Sequence, residues 1–148
     1  MRKEEGKSVG EKSTDELLKI LRSKQNFDEY LREEPAFYTG KMEDELAELL
    51  TKKNLKKAEI IKRSGLDRTY GYQIFSGIRK PTRDKLLALG FGMGLTVEEM
   101  QRLLKVSEYP ALYVKNKRDS IILFCLDKEV SLIETNELLY EMEEAVIE

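Results

Sequence analysis

Apolar residues recur at helical intervals in two short runs between Leu55 and Pro81. After Leu55 come Ala58, Ile60 and Ile61, which place an apolar stripe on a first helix, with Lys56, Lys57, Lys62 and Arg63 on its other faces. Gly65 follows where the chain must leave that helix, because glycine takes a left-handed terminal conformation without steric cost. Leu66 returns to the core, and Asp67 can accept bonds from the free N–H groups of the next helix. That second helix is predicted from Arg68 to Ser76. Tyr70, Gly71 and Ile74 share its inward face by their spacing of three and four. Arg68, Thr69, Tyr72 and Gln73 therefore fall on the outward side, near its start. Gly77 ends the helix, and Pro81 disfavours helix through Lys80.

The same reading divides the rest of the chain. Residues 1–13 are polar and read as a disordered tail. Residues 14–41 form an N-terminal helical extension: Ser13-Thr14-Asp15-Glu16 precedes Leu17, Leu18, Ile20 and Leu21, a short amphipathic helix. A second short helix is expected over Asp28–Glu33, stopping before Pro35, with Ala36 to Gly40 as a connector. Residues 42–106 form the main domain, including a helix over Asp84–Met93 and another opened by the capping box Thr96-Val97-Glu98-Glu99. Residues 107–148 read as a C-terminal helical hairpin. Tyr109-Pro110 breaks the chain, Lys117–Leu126 has a broad apolar face, and Ser131-Leu132-Ile133-Glu134 opens a helix through about Glu144. Leu132, Ile133, Leu138, Leu139 and Met142 are its expected apolar stripe. Asp127 to Val130 joins the two helices. Strand-like alternation is scarce, so the fold class is all-α.

Gln73-Ile74-Phe75-Ser76-Gly77-Ile78-Arg79 resembles the end of the recognition helix, and the loop after it, of helix-turn-helix regulators of the lambda repressor and Cro class. The resemblance continues through Pro81-Thr82-Arg83, the helix Asp84–Met93, Gly94-Leu95-Thr96 and Val97-Glu98-Glu99, and covers roughly residues 44–105. It implies a five-helix, lambda-repressor-like DNA-binding domain with flanking helices. It further implies that Lys57 meets a phosphate at the start of the motif's first helix, and that Arg68, Thr69, Tyr72 and Gln73 face bases. Arginine can pair with guanine and glutamine with adenine in the major groove. Arg79, Lys80 and Arg83 complete the expected phosphate contacts. Three features depart from the family. Lys56 stands where a serine or threonine cap is usual. Gly71 replaces a branched apolar residue, with Tyr70 expected to fill the space. Gly90 and Gly92 lie inside a helix, where each costs about 1 kcal/mol against alanine.

Charge adds a distinction that the bulk value hides. The 148 residues carry 26 basic and 28 acidic side chains, a net charge of −2. Residues 45–90 hold 11 basic and 5 acidic, or +6, whereas residues 91–148 hold 6 and 12, or −6. A basic island on the motif suits a polyanion, although lysines often do no more than solvate helix faces.

Other chemistry is sparse. Cys125 is the single cysteine, lies in the apolar run from Ile121 to Leu126, and reads as a core residue; the chain has no histidine, so no metal site is expected. Gly90-Phe91-Gly92-Met93-Gly94 lacks the strand and the lysine of a phosphate loop and reads as close helix packing. Acidic pairs such as Glu98-Glu99 and Glu143-Glu144 have no nucleophile beside them and read as caps or solvated faces. No enzyme, cofactor or small-molecule ligand is inferred. No apolar window reaches membrane-spanning length, the first residues are polar, and a cytoplasmic protein is expected. The expected partner is double-stranded DNA, as for a bacterial or phage transcription regulator, with a homodimer through the terminal helices as a further expectation. The alternative is a protein-interaction adaptor that keeps the fold without binding DNA, with Tyr70, Tyr72 and Tyr113 as anchors.

Overall fold

Short polar side chains set where most helices begin in the computed structural model, which describes residues 13–25 and 41–148. The chain divides into two compact units, residues 1–39 and 40–148. In the first, α1 (Thr14–Ser23) opens with a reciprocal capping box between Ser13 and Glu16 and has no buried residue. Ser13 thus belongs to the helix start. The rest of the expected tail, the helix expected over Asp28–Glu33 and the connector from Ala36 to Gly40 lie outside the described residues.

The second unit contains α2 (Met42–Lys53), α3 (Lys57–Arg63), α4 (Arg68–Phe75), α5 (Arg83–Met93), α6 (Val97–Val106), α7 (Lys117–Asp127) and α8 (Leu132–Glu141). All described elements are helices, as expected of an all-α chain. Asp67 caps α4 by accepting from Tyr70 N–H, and Thr96 and Glu99 form the full box at α6. Ser131 caps α8 through Glu134 N–H, but its box is not reciprocal: the Ser131 hydroxyl instead donates to the Glu134 carboxylate. Thr82 and Asn116 cap α5 and α7 in the same way, through Lys85 and Asp119 N–H. Lys56 gives α3 no side-chain cap, in keeping with its departure from the usual serine or threonine.

At the centre lies α5, with Leu86 through Gly90, Gly92 and Met93 all buried. A helix apolar on every side has to be surrounded, and α5 is. Its glycines serve that contact. A side chain on Gly90 would collide with Met100 of α6, and one on Gly92 with the Ser64 hydroxyl after α3. Close approach therefore offsets their low helix propensity.

The core is continuous from Leu46 and Leu49 of α2 through Ile60, Ile74, Leu86 and Leu103 to Ile122, Cys125, Leu139 and Ile147. Residues 107–148 are thus part of the same unit as residues 42–106. Two stripes also need correction. In α3, Ile60, Ile61 and Ser64 are buried while Ala58 is exposed, because the inward face follows 60, 61 and 64. In α8, Thr135 and Leu139 are buried and Leu132 and Leu138 half-buried, whereas Ile133 is 75% and Met142 44% exposed. Ile133 lies about 100° around the helix from Leu132, which takes it off the buried side. That helix also stops at Glu141, short of the expected Glu144.

Candidate nucleic-acid interface

The pair α3 and α4 is joined by Ser64 to Asp67, with Gly65 at φ +69°. Leu66 N–H bonds back to Ile61 O at 3.3 Å, which closes the end of α3. From the other side α4 is fixed by buried Gly71, Ile74 and Phe75. The gap at Gly71 is filled by Ile61, where the sequence had suggested Tyr70. A Cβ at position 71 would lie 2.7 Å from both Ile61 Cγ1 and Cγ2. Tyr70 is half-buried and carries the guanidinium of Arg79 over its ring at 5.7 Å.

With its back held in this way, α4 turns Arg68, Thr69 and Tyr72 outward, all exposed. The Arg68 guanidinium lies 5.8 Å from the centre of the Tyr72 ring. Gln73 is half-buried, and its carbonyl accepts from Ile78 N–H at 3.0 Å, Arg79 N–H at 3.2 Å and the Ser76 hydroxyl at 3.1 Å. That carbonyl anchors the loop that follows. Gly77 makes the turn at φ +82°, and Ile78, Arg79 and Lys80 stand exposed beyond it. Lys57 is exposed in the first turn of α3.

Arg83 does not join this surface. Its guanidinium forms a bidentate pair with Asp119 at 3.2 and 3.1 Å and donates to Pro110 O at 3.1 Å and Ala111 O at 3.3 Å. Phosphate contact would require breaking a partly buried ion pair, so Arg83 leaves the expected phosphate set. Next to it, Arg118 of α7 forms a second bidentate pair with Asp84 at 3.2 and 3.0 Å and donates to Ala145 O and Val146 O. Asp119 also accepts from Tyr113 N–H at 3.0 Å. Arg83, Arg118 and Asp119 line a polar cleft together with Lys117, whose ammonium meets Met142 O and Glu144.

Sequence reasoning missed this clamp and the loop contact beside it. The Tyr109 hydroxyl donates to Pro81 O, and Lys80 sits 4.9 Å over the Tyr109 ring and 4.0 Å from Glu108. The signal available was the run Lys117-Arg118-Asp119 at the start of an otherwise apolar helix.

The basic island is also partly spent within the fold. Lys53 and Lys52 pair with Glu99 at 2.9 and 3.1 Å, and Arg63 pairs with Glu59 and reaches Gly92 O. Burial pushes the Glu99 carboxyl up, but the Thr96 N–H and the Lys53 and Lys52 ammonium groups outweigh it and bring it down to about 2. Among the described residues, Lys56, Lys57, Lys62 and Arg68 have no acidic partner. These cations lie on α3, before it or at the start of α4. None of the described helices is long and apolar enough to cross a membrane.

Compared with known proteins, the chain matches no family model, no curated protein and no solved structure.

Proposed function

We propose that α2 to α6 form a five-helix, lambda-repressor-like helix-turn-helix domain, and that the chain is a sequence-specific DNA-binding regulator of transcription. The observation that carries this reading is the outward face of α4. Arg68, Thr69 and Tyr72 are exposed together on a helix whose opposite side is locked into the core. A side chain can read a base edge reproducibly when its helix is held rigidly.

Arg68, Thr69 and Tyr72 are the base-facing set, with Gln73 reaching past its partly covered position. Lys57, Arg79 and Lys80 meet phosphates and fix the register. Arg68→Ala relaxes sequence preference at one base pair, at a cost of about 1–3 kcal/mol on the cognate site. Lys57→Ala instead weakens binding to every sequence alike and lowers the salt slope by about 1.

The test is selection of binding sites from a random DNA pool at moderate salt, with an Arg68→Ala, Gln73→Ala double variant run beside the wild type. An enriched motif that is lost or altered in the variant supports readout by α4. No enrichment by folded protein overturns the proposal.

The adaptor reading has its own support in Ile133 and Tyr140, 75% and 78% exposed on one side of α8. An apolar protein interface there would hold at high salt, whereas binding through several phosphates weakens steeply.

A further inference from the structure

Between α3 and α4, on the flank that carries Arg68, the surface opens into a cleft of about 370 Å³. Its lining is Ala58, Ile61, Lys62, Leu66, Arg68 and Tyr72. The residues fall into two chemical groups. Ala58, Ile61 and Leu66 make an apolar floor, and Ala58 contributes only a methyl group from its exposed position. Lys62 and Arg68 make a cationic rim beside the Tyr72 phenol.

The nearby carboxylates are otherwise engaged. Asp67 accepts from Tyr70 N–H at 3.1 Å, and Glu59 pairs with Arg63 at 3.3 Å. Neither Lys62 nor Arg68 has an acidic partner among the described residues. The volume lies within the range of small-molecule sites, roughly 300–1,000 Å³. An apolar floor with two unneutralised cations at its edge is complementary to a small amphipathic anion. A carboxylate at the rim can accept two parallel bonds from a guanidinium, while an apolar body covers Ile61 and Leu66.

We propose that this cleft binds a small organic anion, a carboxylate carrying an apolar body, and that the bound anion holds Arg68 at the cleft. The site itself is independent of any nucleic acid. A second consequence rests on the DNA-binding reading above. Arg68 cannot serve the ligand and a base edge at once, so occupancy and operator binding oppose each other, and the opposition is reciprocal.

The experiment uses the full chain with labelled isoleucine and leucine methyl groups. The probe is 3-phenylpropionate, with 3-phenylpropionamide and acetate as the neutral and the body-less controls. The expected result is a saturable shift of the Ile61 and Leu66 methyl signals at a dissociation constant on the order of 1 mM or below. Each control binds roughly tenfold more weakly, and so does the Arg68→Gln variant. Ala58→Phe, at an exposed position, fills the cleft and abolishes the shift while the Ile122 signals stay in place. Equal binding of the amide or of acetate overturns the proposal. So does an undiminished shift in Ala58→Phe, or no shift at all.

On a selected operator, saturating 3-phenylpropionate weakens binding by wild type and leaves Ala58→Phe unaffected. If no operator can be selected but the methyl titration saturates, the DNA reading fails and the cleft stands. A flat titration beside a well-selected operator gives the reverse.

Discussion

Arg68 and Arg83 each open a helix, α4 and α5, yet their guanidinium groups have opposite surroundings. Arg68 lies over the Tyr72 ring at the surface, with no carboxylate to neutralise it among the described residues. Arg83 is covered by residues 109–119 and tied to Asp119, with side chains 22% and 11% exposed. Sequence places both in the same basic island. What separates them is the C-terminal segment, which folds over one and leaves the other free. Local density of positive charge therefore overstates the charge offered to a partner, and coverage by distant residues decides the difference.

Breaking the covered pair should have the largest effect. Arg83→Ala leaves Asp119 partly buried without its main counter-ion and should cost about 3 kcal/mol in urea unfolding. Exchanging the pair, Arg83→Asp with Asp119→Arg, should recover part of that loss. If Arg83→Ala were as stable as the wild type, the contrast with Arg68 would collapse.

Glu99 extends the comparison, because it neutralises Lys52 and Lys53 of the same island. Its carboxyl sits at about 2 in the folded chain against an ordinary 4.5. A lowered carboxyl stabilises the folded state above about pH 4.5, and that contribution is lost as the pH falls toward 2. The difference corresponds to about 3 kcal/mol at neutral pH. Glu99→Gln should show that loss at pH 7 and converge with the wild type near pH 2. Parallel stability curves for the two proteins would remove Glu99 from the account.

Next comes the contact that orients α4. Gly71→Ala forces Ile61 to move and should cost about 2 kcal/mol. In an Ile61→Ala background the obstructing γ carbons are gone, and the higher helix propensity of alanine should make the same change neutral or stabilising by up to about 1 kcal/mol. Additive costs in the double-mutant cycle would mean that Ile61 does not fill this gap. The smallest effect belongs to the uncovered residue: Arg68→Ala should change stability by less than about 0.5 kcal/mol.

The parts legible in the sequence are those decided within a few residues. Asp67, Thr96, Ser13 and Ser131 cap the helices they precede, and Gly65 and Gly77 take the left-handed turns. Local spacing also placed Ile74 inward and Arg68, Thr69 and Tyr72 outward. The face of α8 was harder, because Leu132 and Ile133 are equally apolar and only packing against α7 and the core selects between them. Contacts between remote residues were not legible. Asp119 lies 36 residues along the chain from Arg83, and nothing in either neighbourhood names the other. The filling of Gly71 by Ile61 failed for the same reason, since it depends on how closely two helices approach.

The two ion pairs between α5 and α7 are crossed: Arg83 meets Asp119, and its neighbour Asp84 meets Arg118. A slide of one position between the helices would put Arg83 against Arg118, or Asp84 against Asp119. Each alternative sets like charges together in a partly covered site, where repulsion is costly. The doublets act as a key that admits one alignment of the arm, and with it one position of Tyr109 beneath the loop that carries Arg79 and Lys80.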